Sequence, residues 1–203
     1  MLNAPLRILI VAGVCLLALI GLVVREGAAR DGGEEVLLAM EAVDPRALLS
    51  GHYVMIRLQE SLPEGEVCPA GVTDQGMAFV VPSLANDTTW VSLKARGEHF
   101  SVAALSADRE GAEGVSAIVA QGTAACWQTT ATEEVPAQSV ITLQLNGIDR
   151  FYINQTEAER IDRILRDQGD TVRAFAIVSI AGDGRARLRG LMVDGERLEL
   201  NWF

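Results

Sequence analysis

Ile8 to Val24, ILIVAGVCLLALIGLVV, is a run of seventeen residues with no charge and no proline. At about 1.5 Å per helical residue it spans about 26 Å. That is slightly short of the ~30 Å hydrocarbon core, but within the range of a spanning helix. A chain that opens this way either keeps one helix in lipid or loses it as a signal peptide. In the second case Arg7 and the amino terminus form the charged leader, and Gly27-Ala28-Ala29 loosely resembles a cleavage site. The run is longer than a usual signal core, however, and Arg25 and Glu26 stand where a cleavage region carries no charge, so an uncleaved anchor over residues 8–24 is favoured. Basic groups on the two sides then set orientation. Arg7 and the amino group precede the segment, whereas Arg25 and Arg30 follow it among Glu26, Asp31 and the acidic GGEE. Residues 1–7 are expected in the cytoplasm, 25–34 as a short polar linker, and 35–203 as a domain on the outer (periplasmic or extracytoplasmic) side of the cytoplasmic, inner membrane.

Charge narrows the partners. Of 27 acidic residues only Glu26 precedes Asp31, and of 17 basic residues only Arg7, Arg25 and Arg30 do, which leaves the part beyond the anchor at −12. Such a surface does not suit nucleic acid or a broad basic patch on anionic lipid. Cys15 lies within the apolar run and reads as a small hydrophobe. Cys68 and Cys126 are the other two cysteines. In an oxidising compartment they form a disulfide closing a loop of about 58 residues, worth about 2–4 kcal/mol; two buried thiols are the alternative. His52 and His99 with these cysteines make four conceivable metal ligands, but none has a ligand spacing such as C-x₂-C or H-x₃-H. No metal or other cofactor is expected.

Hydropathy beyond the anchor alternates in short runs. EVLLAMEAV (35–43), YVMIRLQE (53–60), MAFVVP, TTWVSLKAR, EHFSVAALSA, VSAIVAQGTA, SVITLQLN, TVRAFAIVSI, RARLRGLMV and RLELNW read as strands. Turn-rich pieces such as SLANDT and DREGAEG separate them. The last three form a meander joined by AGDG and by Asp194-Gly195, a strong hairpin signal. In RARLRGLMV simple alternation puts Arg185, Arg187, Arg189 and Leu191 on one face and Ala186, Leu188, Gly190 and Met192 on the other. The cationic face reads as solvated, offsetting nearby acids, with an anion-binding role as the alternative. One helix stands out over 156–169, with a Thr156/Glu159 capping box, an Ala158/Ile161/Ile164/Leu165 stripe and a Gly169 stop. The pattern predicts a β-dominated α+β domain: an antiparallel barrel-like or two-sheet body, with one surface helix.

The segment DPRALLSGHYVMIRL (44–58) resembles the motif of the GDYXXLXY family of bacterial membrane-anchored proteins. Gly51 and Tyr53 match, Ile56 replaces a leucine, His52 stands where the family has aspartate, and Leu58 where it has a second tyrosine. NGIDRFYINQTEAERID (146–162) and GDGRARLRGLMVDGERL (182–198) are similar to two further blocks, in order. The resemblance implies an N-terminal anchor, an exported β-rich domain and companionship with multi-spanning membrane proteins. It implies no particular chemistry. The single lysine among sixteen arginines agrees with a bacterial source. Physically, Gly51 suits a turn into a strand, Tyr53 suits a core edge, and His52 replaces part of what an aspartate does at a turn. A structural role suffices for all of them.

Catalytic patterns are sparse. There is no phosphate loop, nucleotide fingerprint or G-x-S-x-G elbow. Ser50 and Lys94 form a conceivable Ser/Lys hydrolase pair resembling that of signal peptidases. The serine lacks the S-M-x-P setting, and Lys94 alternates with apolar residues and so points to solvent. The expected function is a non-enzymatic binding or scaffold module whose partner is another membrane protein. The alternatives are the Ser/Lys hydrolase and a periplasmic ligand sensor, which would need a concave apolar pocket.

Overall fold

A computed structural model describes residues 4–40, 53–72, 89–129, 137–148, 150–152, 160 and 174–199. The expected helix over 156–169 lies outside them, apart from Arg160, which is helical, as do MAFVVP and SLANDT. Helix α1 (Ala4–Asp31) is unbroken over 28 residues, about 42 Å. From Ile8 to Asp31 it is long and apolar enough to cross a membrane, and none of its apolar window is buried among the described residues. It overruns the expected linker at 25–34. REGAARD holds no proline and several good helix formers, so a helix begun upstream continues through it. Gly32 and Gly33 alone separate it from the first strand.

The strands are β1 (Glu34–Ala39), β2 (Tyr53–Met55), β3 (Leu58–Ser61), β4 (Trp90–Arg96), β5 (His99–Ser106), β6 (Ile118–Gln128), β7 (Ser139–Leu145), β8 (Arg150–Tyr152), β9 (Ala174–Ile180), β10 (Ala186–Val193) and β11 (Glu196–Glu199). Nine of them form one sheet in the order β11-β10-β9-β1-β5-β4-β6-β7-β3, and β2 pairs with β8 apart from it. All pairings are antiparallel except β1 with β5. Met40, just past β1, bridges to Leu58 of the edge strand β3. The six strands β1-β5-β4-β6-β7-β3 thus return on themselves in a barrel-like ring, and β9-β10-β11 continue from β1 as a flank. The chain is β-dominated, as its alternation predicts.

Apolar side chains from both parts meet in one core, in which Val91, Leu93, Val178 and Leu191 have no exposed surface. Each such side chain contributes roughly 1.5–3 kcal/mol by leaving water. Strand β6 runs unbroken through ACWQ, which the alternation assigns to a connection. It changes partner midway, pairing with β4 through Ile118–Gln121 and with β7 from Gly122 onward. Gly122 permits this corner, because a Cβ there would run into the Gln144 carbonyl. DREGAEG contains a short helix α2 (Arg109–Glu113), whose N-cap Asp108 accepts from the Gly111 N–H at 2.7 Å.

Two further departures from simple alternation have physical causes. YVMIRLQE is two strands, not one: the chain breaks at Ile56–Arg57, so that β2 joins β8 while β3 joins β7. In β10 the register shifts between Leu188 and Gly190. This bulge at Arg189 re-phases the strand. Leu191, expected beside the arginines, becomes fully buried, and Met192 turns half outward. Beyond it, Asp194 and Gly195 both take positive φ, 51° and 79°, the two-residue hairpin turn that Asp-Gly predicts.

Candidate functional site

Of the motif positions, Gly51 and His52 lie outside the described residues, as does Ser50. Tyr53 opens β2, opposite Tyr152 of β8. Ile56 and Leu58 are core residues, 8% and 2% exposed. The two described aliphatic positions of the motif therefore pack, and Leu58 also supplies the bridge that closes the ring. Lys94 is exposed on β4, paired across to Ser101.

Cys68 and Cys126 are joined as a disulfide, with their Cα atoms 5.8 Å apart. The bond pins the segment after β3 onto β6. The same segment is held by Gln138 Nε2 donating to the Leu62 carbonyl at 2.8 Å and Ser139 Oγ donating to the Glu66 carbonyl at 3.0 Å. Gly71, with φ of +76°, passes so close to β5 that a Cβ would meet the Leu105 carbonyl.

The pinned segment carries Glu66 to a small polar cluster. Arg96 forks onto both Glu66 oxygens, and the pairing holds the Glu66 carboxyl below its ordinary range. Glu60 stands 3.7 Å from Arg96 and 3.0 Å from His99 Nε2. The His99 ring rests 5.6 Å from that of Phe175. A carboxylate orienting an imidazole is half of an acid–base arrangement. Among the described residues no hydroxyl or thiol is hydrogen-bonded to that ring, and no three His, Cys, Asp or Glu side chains converge as a metal site.

A larger polar network lies where α1 meets the sheet. Arg187 donates to Glu26 from Nε at 2.5 Å. Arg30 Nη2 donates to the Arg189 carbonyl at 2.9 Å. Arg189 stands 4.0 Å from Asp31 and 3.1 Å from Glu35. Arg197 grips Glu35 with both terminal nitrogens, at 2.8 and 2.7 Å. That fork, with the charges of Arg197 and Arg189, holds the Glu35 carboxyl below its ordinary value, and the bonds to Glu35 and Glu199 raise Arg197. The arginine face of β10 is therefore paired with named acids rather than merely solvated. The sequence reading takes Glu26, Asp31 and Glu35 only as charges that flank the apolar run and does not pair them with these arginines. Their signal is acids spaced just past the apolar run, facing the R-x-R-x-R of 185–189.

Two of the cavities among the described residues bear on a site. One of about 10 Å³ lies between β1, β3, β5 and β7, room for one water at most. A groove of about 200 Å³ opens beside the α1–β1 junction, lined by Gly32, Glu34, Arg109, Ile118, Ile180 and Gly182 among others. Both are smaller than the ~300–1,000 Å³ of usual small-molecule sites.

These features define a β-rich domain carried directly on a helix of membrane-spanning length. The chain belongs to the GDYXXLXY family, whose model matches residues 15–191. No curated protein and no solved structure matches it.

Proposed function

We propose that the chain is a single-pass protein of the bacterial cytoplasmic membrane, with residues 1–7 inside and the β-rich domain, residues 35–203, on the periplasmic side, where it acts as a non-enzymatic binding or scaffold module for another, multi-spanning membrane protein. The observation that carries this is the junction: α1 runs unbroken to Asp31 and is ion-paired to β10 through Glu26 and Asp31. A domain held so close to the end of an apolar helix is presented beside the bilayer, where the extramembrane segments of other membrane proteins lie. The Cys68–Cys126 disulfide supports an oxidising compartment. Two measurements test the reading. Membrane-impermeant thiol labelling of a cysteine at exposed Lys94 should succeed in intact spheroplasts; labelling only after lysis would reverse the orientation. Crosslinking in native membranes should recover one reproducible membrane protein, and recovery of none would remove the scaffold role.

A further inference from the structure

The groove beside the α1–β1 junction carries one charge of each sign next to apolar surface. Glu34, the first residue of β1, and Arg109, the first of α2, both line it, together with Ile118, Ile180 and Gly182. Glu34 is exposed, and among the described residues its carboxylate has no ion-pair or hydrogen-bond partner. Arg109 is held from two sides. Its Nε donates to Glu113 Oε1 at 2.5 Å, and its guanidinium carbon lies 5.5 Å from the centroid of the Trp90 ring. Its two terminal nitrogens bond to none of the described residues. No ion pair joins Arg109 to Glu34. The fold thus brings a free carboxylate and an oriented, open guanidinium fork into one groove without letting them neutralise each other.

We propose that this groove binds a small zwitterion of the amino-acid type, with its ammonium against Glu34, its acid group in the Arg109 fork and a short apolar part on Ile118 and Ile180. The groove holds about 200 Å³. That is too little for a drug-sized ligand but many times the roughly 10–15 Å³ that one water needs. A planar guanidinium takes a carboxylate or a phosphate through two parallel N–H···O bonds. A lone anion would gain Arg109 but face Glu34, and a lone cation would meet the reverse; a ligand carrying both charges satisfies both. The same chemistry is offered by a free amino acid and by the phosphoethanolamine headgroup of a lipid. The site goes beyond the proposed function and does not depend on it, since binding to solubilised protein needs neither a bilayer nor a partner.

The full chain, purified in dodecyl maltoside, is titrated by calorimetry with L-leucine and with glycerophosphoethanolamine. Saturable binding of at least one is expected. Analogues with a single charge, isoamylamine and 4-methylpentanoate for the first, ethanolamine and glycerol phosphate for the second, should bind at least about tenfold more weakly. Tighter binding of L-leucine assigns the groove to free amino acids, and tighter binding of glycerophosphoethanolamine assigns it to lipid headgroups. Glu34→Gln and Arg109→Gln should each weaken the preferred ligand by about tenfold or more. Gly182 lines the groove and has open space where a Cβ would stand, so Gly182→Leu should block binding with the thermal midpoint unmoved. Glu34→Gln and Gly182→Leu keep the test decisive if loss of Arg109 from Trp90 disturbs the fold. Saturation by neither ligand at about 10 mM would overturn the site. Equal binding of the single-charge analogues would overturn it too, as would unchanged affinity in folded Glu34→Gln and Gly182→Leu.

Discussion

Gly33 shows how little freedom the α1–β1 junction leaves to single residues. A Cβ there would collide with Ser179 Oγ and press on the Ile180 carbonyl, and Ser179 is only 1% exposed. Gly33→Val should lower stability by about 1–3 kcal/mol, the usual cost of overpacking, read as a lowered thermal midpoint. Gly182→Ala, where a Cβ meets nothing, should leave the midpoint in place. Glu35 makes a pH prediction. Its carboxyl is held below the ordinary 4.5 by Arg197 and Arg189. A carboxyl with a depressed folded-state pKa contributes stability that is present above the unfolded value and is lost as pH falls through the folded one. The denaturation midpoint should therefore drop as pH is taken below 4.5, and Glu35→Gln should make that drop shallower. Because Glu35 is one-third exposed, solvent screening keeps the effect small. An unchanged acid profile in the variant would show that the pair adds nothing measurable.

At the scale of elements, β10 is the instructive case. Its polarity pattern is plain in the sequence, and so is the hairpin after it. The bulge is not, because an extra residue leaves no mark on composition. Leu191 is the test. Were the alternation unbroken it would face outward, and truncation would cost little. Buried as it is, with no exposed surface, Leu191→Ala should cost about 2–5 kcal/mol, measured by chemical denaturation. The disulfide is the second case. Its closure of a 58-residue separation should contribute about 2–4 kcal/mol, so reduction, or Cys126→Ala, should lower the thermal midpoint. An unmoved midpoint would mean that the 62–72 segment is held by its hydrogen bonds alone. YVMIRLQE reads as one strand because it opens on aromatic and β-branched residues and contains no glycine or proline. Only the availability of two different partners, β8 and β7, divides it.

For the whole molecule the decisive feature is that the apolar helix and the β-rich domain are not separated by a flexible tether. Residues 25–34 are polar and contain three glycines, which is why they read as a linker. Tertiary pairing with β10 rewards keeping residues 25–31 helical. Glu26→Gln removes the carboxylate that Arg187 bonds and adds no trypsin site. The expected outcome is faster trypsin cleavage at Arg25 or Arg30 in membranes, with the folded domain released intact. Cleavage at the wild-type rate would show that Gly32–Gly33, rather than the ion pairs, sets the rigidity of the junction.

The sequence by itself determined the membrane-length helix, the β-dominated class, the last hairpin and the family. These follow from hydropathy period, turn chemistry and ordered blocks, all of them local in the chain. Only the tertiary structure decided that β3 returns to Met40 to close the ring, that β6 changes partners at Gly122, that Arg189 bulges, and that Glu26, Asp31 and Glu35 neutralise the arginines of β10. Each of these joins residues far apart in sequence, in the last case by about 160 positions. Such contacts depend on which surfaces the packed core brings together, and one-dimensional periodicity carries no record of that.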